Sequence, residues 1–99
     1  MSFNTSIIIE FSDITRKVVE LRKIFNNKEL LDHLKNIYSN EYVEFLEKEL
    51  RHLELLKQFI SARIEILIGK ETDENDKKYL VEKKEKILEF ESRNTPKGE

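Results

Sequence analysis

Residues that form tight turns are almost missing from this chain, and this feature constrains its fold more than any other. The two glycines and the single proline are Gly69, Pro96 and Gly98, so neither residue type occurs anywhere before Gly69. Glycine and proline interrupt regular structure most strongly, and a β-rich domain needs them at its many turns. The sequence therefore predicts an all-α fold.

The composition indicates one folded domain. The chain has 99 residues, of which 38% are charged and 38% apolar, and its formal net charge is −2. Such a balance is typical of packed helices, whereas disordered chains carry fewer apolar residues. We expect a single helical domain over residues 1–91 and a flexible C-terminal tail over residues 92–99.

The N-terminal segment has the apolar spacing of a helix. Its apolar residues are separated by four, three, four, three and four positions, as on one face of a helix. They are Ile7, Phe11, Ile14, Val18, Leu21 and Phe25. Residues 7–9 are three β-branched isoleucines, which allows a second interpretation. In that interpretation residues 6–11 form a short strand and Ser12 caps a helix that begins at Asp13.

Polar residues that favour helix starts divide the remaining chain into three further segments. Asn26 with Glu29 resembles a capping box in front of a short amphipathic helix that ends near Tyr38. Candidate caps also precede the third and fourth apolar segments, and they are Ser39 or Asn40 for the third and Thr72 or Asp73 for the fourth.

The third segment carries the most information. Its polar residues fall on one narrow stripe at spacings of three or four, namely Glu44, Glu47, Arg51, Glu54, Gln58, Ser61 and Glu65. The rest of the helix surface is mainly apolar, well beyond the ~100° arc that a surface helix needs. We predict a three- to four-helix bundle around one long central helix, about residues 41–68 and roughly 42 Å long, which ends with Gly69 as a left-handed C-cap. Such a helix is either lined on both sides by shorter helices or meets a second copy or a partner.

Polar residues that interrupt the apolar seams of this helix are candidates for binding. Glu49, His52 and Arg63 interrupt one seam, and Lys57 interrupts the other. Glu49 and His52 have the i,i+3 spacing of ligands in di-iron carboxylate bundles, but the chain has no second Glu-x-x-His, so we expect no metal site. Single polar residues in an apolar seam commonly fix the register or the oligomeric state, and we favour that role.

Three aromatic residues cluster where the second helix gives way to the third. They are Tyr38, Tyr42 and Phe45, and Tyr is favoured at the energetic centres of protein interfaces. The sequence therefore predicts an interface with a protein partner or a second copy, formed by Tyr38, Tyr42, Phe45, Glu49, His52, Lys57 and Arg63.

Nucleic-acid binding is the alternative hypothesis. It depends on a basic cluster in the first helix, Arg16, Lys17, Arg22 and Lys23. Phosphate binding requires several cations that converge on one face without acidic residues between them, and Glu20 lies inside this cluster. The chain has a net charge of −2, whereas most nucleic-acid-binding domains are positively charged overall. This hypothesis therefore ranks second.

Catalysis is not expected from this sequence. The chain has no cysteine, two histidines and no glycine-rich phosphate loop, so we predict neither enzymatic activity nor a cofactor. No apolar run approaches the ~18 residues of a membrane span, and the N-terminal segment does not resemble a signal peptide, so we expect a cytoplasmic protein. The predicted function is protein–protein interaction by a small, slightly acidic, self-associating helical subunit, either a scaffold or an inhibitor within a larger complex.

Overall fold

The computed structural model describes residues 3–95 and is helical along nearly all of that range. Its helices are α1 (Phe3–Phe25), α2 (Lys28–Ile37), α3 (Asn40–Lys70) and α4 (Glu74–Asn94). The all-α prediction is confirmed, and residues 6–11 are part of a helix rather than a strand. Helix α4 continues to Asn94, inside the segment predicted as a tail, and residues 96–99 lie outside the described residues.

Two predicted caps begin the long C-terminal helices. The Ser39 hydroxyl accepts a hydrogen bond from the amide of Tyr42 at 3.1 Å. The Asp73 carboxylate accepts bonds from the amides of Asn75 and Asp76 at 2.9 and 3.1 Å. Each cap satisfies amide groups that have no partner within the first helical turn, and the Asp73 charge is also favourable at the positive end of the helix dipole.

The start of α2 differs from the sequence prediction. Asn27, not Asn26, is the cap, and its side-chain oxygen accepts from the amide of Leu30 at 3.1 Å. The Asn26 side-chain amide instead donates to the carbonyl of Arg22 at 3.0 Å and closes the end of α1. Adjacent asparagines thus serve opposite helix ends, and the predicted capping box of Asn26 with Glu29 is wrong.

The predicted left-handed cap at Gly69 is also wrong. Gly69 is helical, and no residue in the described range 3–95 has a positive φ. Helix α3 ends one residue later because Glu71 adopts an extended conformation, with φ −72° and ψ 127°. The Glu71 carboxylate accepts from the amide of Asp73 at 3.2 Å, so side-chain hydrogen bonds rather than a glycine turn separate α3 from α4.

Helix α1 contributes more buried residues to the core than any other helix. It contacts α2, α3 and α4, and it supplies most of the buried apolar side chains, namely Ile7, Ile8, Phe11, Ile14, Val18, Val19 and Leu21. Ile64 of α3 and Leu80 of α4 complete this core and are fully buried. Helix α3, the predicted long central helix, likewise contacts all three other helices.

Helix α3 is the longest element and forms one side of the bundle. Its 31 residues span about 46 Å at the usual helical rise. The molecule measures 54 × 24 × 21 Å. The side of α3 that faces the bundle buries Val43, Leu46, Ile60 and Ile64. The opposite side has no neighbouring helix over the described residues, and the candidate site lies there.

Candidate protein-binding face of the third helix

Large apolar side chains project from the uncovered side of α3. Phe45, Leu55, Phe59 and Ile66 are 60%, 50%, 63% and 57% exposed, and we call these four residues the outer face. Helical periodicity places them opposite the buried residues of the same helix. The outer face extends about 32 Å along the helix, from residue 45 to residue 66.

The outer face has the seven-residue period of a coiled-coil seam. Phe45, His52, Phe59 and Ile66 are each seven positions apart. A second series with the same period, offset by three positions, consists of Lys48, Leu55, Ala62 and Gly69, and all eight residues are exposed. These series correspond to positions a and d of a heptad, at which coiled-coil helices contact one another. The pattern indicates a surface that fits a further helix.

Charged residues flank the outer face on both edges. Glu49 and Arg63 lie along one edge, and Arg51 and Glu65 lie along the other, at heptad positions e and g. All four are exposed. Glu65 also binds the ammonium group of Lys84 on α4, although its side chain remains 60% exposed. Between residues 45 and 66, each edge thus carries one acidic and one basic residue, separated by 14 positions and in opposite order.

Two of the predicted aromatic residues lie next to the N-terminal end of the outer face. The rings of Tyr38 and Tyr42 are tilted by 35°, with centroids 4.5 Å apart. The two side chains are 61% and 36% exposed. The structure therefore brings Tyr38 and Tyr42 together. It places four further predicted interface residues on or beside the outer face, namely Phe45, Glu49, His52 and Arg63.

Lys57 is the exception among the predicted interface residues. It lies on the bundle side of α3, where its ammonium group contacts the Glu91 carboxylate at 3.0 Å. Glu91 also binds the guanidinium of Arg22 at 2.7 Å, and Arg22 in turn binds Glu54 at 3.0 Å. This network links α1, α3 and α4, and the polar interruption of the apolar seam at Lys57 is explained by an intramolecular contact.

The network shifts the ionisation of its central groups. Burial alone would raise the pKa of the Glu91 carboxyl, but hydrogen bonds from Lys57 and Arg22, together with their charges, hold this pKa below its ordinary value. Burial alone would lower the pKa of the Arg22 guanidinium, and its bonds to Glu91 and Glu54 outweigh that effect and raise this pKa. Both groups therefore remain charged near neutral pH and stabilise each other.

The basic cluster of α1 does not form one cationic surface. Arg22 is bound by two carboxylates in the network, which neutralise its charge locally. Arg16 lies in a groove of about 440 Å³ between α1 and α4, together with Lys83 and Lys86. Lys17 and Lys23 lie elsewhere on α1 and do not line this groove. The contacts of Arg22 therefore weigh against the nucleic-acid hypothesis.

The described residues offer no metal-binding cluster and no membrane-spanning segment. Within residues 3–95, no three acidic or histidine side chains come together in a way that could hold a metal ion. No helix in this range combines the length and the apolar character that crossing a bilayer requires. Glu49 and His52, which have ligand-like spacing, are both exposed on or beside the outer face.

Of the four outer-face residues, only Phe45 was predicted from the sequence as an interface residue. Leu55, Phe59 and Ile66 were not predicted as interface residues, because an apolar residue in an amphipathic helix is normally assigned to the core. The seven-residue spacing of Phe59 and Ile66 from Phe45 and His52 is not by itself a signal, because the buried residues Leu46 and Ile60 are separated by the same 14 positions as Phe45 and Phe59. Core residues of α3 follow a separate series on the other side of the helix.

Comparisons with known proteins do not add an assignment. No family model, no curated protein and no solved structure matches the chain.

Proposed function

We propose that this protein is a non-enzymatic protein–protein interaction module that binds its partner through the outer face of α3. The observation that carries this proposal is the exposure of Phe45, Leu55, Phe59 and Ile66 at coiled-coil spacing. An exposed apolar stripe of this length, about 32 Å long and one helix wide, has an area of a few hundred Å². Patches of that size on a single chain commonly mark interaction sites.

The outer face has no role in building the core of the bundle. That core is filled by other residues, which include Phe11, Val18, Ile64 and Leu80. All four are fully buried. A helix that served only the bundle would carry polar residues on its solvent side. The exposure of Phe45 and Phe59 on that side is therefore explained by a contact with another polypeptide. A scaffold or an inhibitor subunit would bind through such a face, and this binding requires no catalytic residues.

The proposal is tested by capture with matched variants. The tagged protein is used to capture binding partners from its native host, in parallel with the Phe59→Lys and Leu88→Lys variants. Leu88 lies on α4 and is 39% exposed, so its variant adds the same charge at another exposed apolar position. We expect Phe59→Lys to lose the captured protein and Leu88→Lys to retain it, with unchanged helical circular dichroism for both. Equal capture by both variants, or no captured protein with the wild type, would refute the proposal.

A further inference from the structure

The seam and its charged edges point to a specific occupant of the outer face. We propose that the outer face is covered by a second copy of this chain, with the two α3 helices antiparallel and related by a two-fold axis at the level of residues 56–58. This inference rests on the proposed function and names its partner. The inference is supported by the match between the outer faces of two copies, in both side-chain size and charge, when they are aligned in this register.

The apolar seam is complementary in size when the helices run in opposite directions. Position a of one helix then meets position d of the other, and the paired residue numbers sum to 114. Phe45 meets Gly69, and Leu55 meets Phe59 of the second copy. Apart from Gly69 itself, its two neighbours and the adjacent backbone of α3, no described atom lies within 4 Å of the point where a side chain at Gly69 would begin, so the Phe45 ring of the second copy has room there.

The two polar positions of the seam are also accommodated. His52 meets Ala62 of the second copy, where the small residue leaves space for the imidazole. Lys48 meets Ile66, and its aliphatic stem can cover Ile66 while the ammonium group reaches solvent. In a parallel dimer each residue meets its own copy instead. Lys48 would then face Lys48 across the seam, which places two like charges together.

The charged edges favour the same direction. In the antiparallel register, Glu49 approaches Arg63 of the second copy, and Arg51 approaches Glu65 of the second copy. The two-fold axis repeats both contacts, which gives four attractive pairs and no repulsive one at these positions. In a parallel dimer, Glu44 at position g would face Glu49 at position e of the second copy, a repulsive pair. Glu65 would face Lys70 of the second copy, an attractive pair, so these contacts would offset each other. Charges at e and g positions set partner choice and orientation.

Single-cysteine variants test the register directly, because the natural chain contains no cysteine. Gln58 lies on the edge of the seam at the two-fold axis, so residue 58 faces its own copy. Arg51 lies on the same edge two turns away, and its two copies are separated by about 21 Å along the helix. Each of the variants Gln58→Cys and Arg51→Cys is treated with a short bis-maleimide in the otherwise unchanged protein. We expect efficient cross-linking of Gln58→Cys and little cross-linking of Arg51→Cys.

The cross-linking result separates the two orientations. In a parallel dimer, positions 51 and 58 are each opposite their own copies at the same distance, so both variants would react equally. Equal reaction would therefore overturn the antiparallel register. Sedimentation equilibrium of the wild type gives the oligomeric state independently, and a monomer at all concentrations would overturn the second copy as occupant.

Charge exchange provides a second test that does not change the apolar residues. The double variant Glu49→Arg/Arg51→Glu keeps the net charge and makes all four edge pairs repulsive in the antiparallel dimer. Within the described residues neither Glu49 nor Arg51 makes an ion pair inside the chain, so the fold should not change. Because all four pairs change from attractive to repulsive, we expect self-association to weaken by roughly 30-fold or more. Unchanged or tighter self-association would overturn the proposal.

Mixing this variant with a complementary variant should restore dimer formation. The variant Arg63→Glu/Glu65→Arg makes the same four pairs repulsive, and a heterodimer of the two variants has all four attractive. We expect each variant alone to be monomeric and the equimolar mixture to form a heterodimer. Circular dichroism controls the fold of the second variant, since Glu65 also binds Lys84 and Arg63 has a contact of its own within the chain. A mixture that stays monomeric while both variants are folded would count against the edge pairing.

The failure of this inference and the failure of the proposed function give different results. A monomeric wild type that still captures another protein through Phe59 would overturn the second copy as occupant and leave the interaction module intact. A capture experiment that is insensitive to Phe59→Lys would refute the interaction module itself.

Discussion

The substitution Glu91→Gln tests whether the ion pairs of Glu91 with Arg22 and Lys57 stabilise the bundle. The Glu91 carboxylate receives charged hydrogen bonds from Arg22 at 2.7 Å and Lys57 at 3.0 Å, and its side chain is 14% exposed. Exposed pairs contribute up to about 1 kcal/mol, whereas breaking a buried pair costs about 3–5 kcal/mol. The ion pairs of Glu91 are intermediate in burial between these two cases, and the glutamine side chain keeps one oxygen that accepts a hydrogen bond. We therefore expect a loss of about 2 kcal/mol in the free energy of unfolding at pH 7.

Urea unfolding at a fixed protein concentration measures this loss, and a neighbouring residue supplies the control. Glu89 lies on the same helix and binds Arg93 at 3.2 Å in an exposed i,i+4 pair. We expect Glu89→Gln to change the free energy of unfolding by less than about 0.5 kcal/mol. A loss of about 2 kcal/mol lowers the urea midpoint by roughly 1 M or more, which is easily resolved from the control.

The effect of Glu91→Gln should depend on pH in one direction. The Glu91 pKa is lowered in the folded protein, so its contribution is fully present above the ordinary carboxyl pKa of about 4.3. The contribution is lost as the pH falls through the lowered value, because protonation of the folded protein removes both ion pairs. The difference between wild type and variant should therefore shrink between about pH 5 and pH 2. A variant no less stable than Glu89→Gln at pH 7, or a difference that persists undiminished at about pH 2, would refute the reasoning.

Three further tests probe the bundle, and thermal or urea unfolding measures each of them. Leu80→Ala should cost about 2–5 kcal/mol, because Leu80 is fully buried and is the residue that α4 contributes to the core. A loss under about 1 kcal/mol would contradict that packing. Asp73→Ala should cost about 1 kcal/mol through the lost cap of α4, and no change would mean that the cap is dispensable. Ile64→Ala should cost about 2–5 kcal/mol. Ile66 is 57% exposed. Ile66→Ala should therefore change the stability of the monomer by less than about 0.5 kcal/mol, and losses similar to those of Ile64→Ala would show that the two faces of α3 are not distinct.

Local sequence patterns were sufficient to predict the helices. The regular apolar spacing from Ile7 to Leu21 defines α1, and the residues of that series are buried in the core. Ser39 and Asp73 could be predicted as caps because a cap contacts amides only two or three residues away. Gly69 was misassigned because a glycine is also tolerated inside a helix, and the true end depends on the hydrogen bonds of Glu71.

Contacts between distant segments could not be predicted. Arg22 and Glu91 are 69 positions apart, and nothing in either local sequence indicates that they meet. Lys57 was consequently assigned to an interface, although it binds Glu91 within the chain. The width of the apolar arc of α3 correctly indicated more apolar surface than the bundle covers. The sequence pattern alone did not show which side of α3 the other helices would occupy.

Helix α3 carries two independent sets of apolar residues on opposite sides. The inner set, which includes Ile60 and Ile64, is constrained by the packing of the bundle, whereas Phe59 and Ile66 do not belong to its core. Mutations of the outer set can therefore accumulate without loss of folding, and mutations of the inner set can be compensated within the bundle. Under the proposed function, substitutions in the outer set would change which partner is bound while the same core keeps the bundle folded.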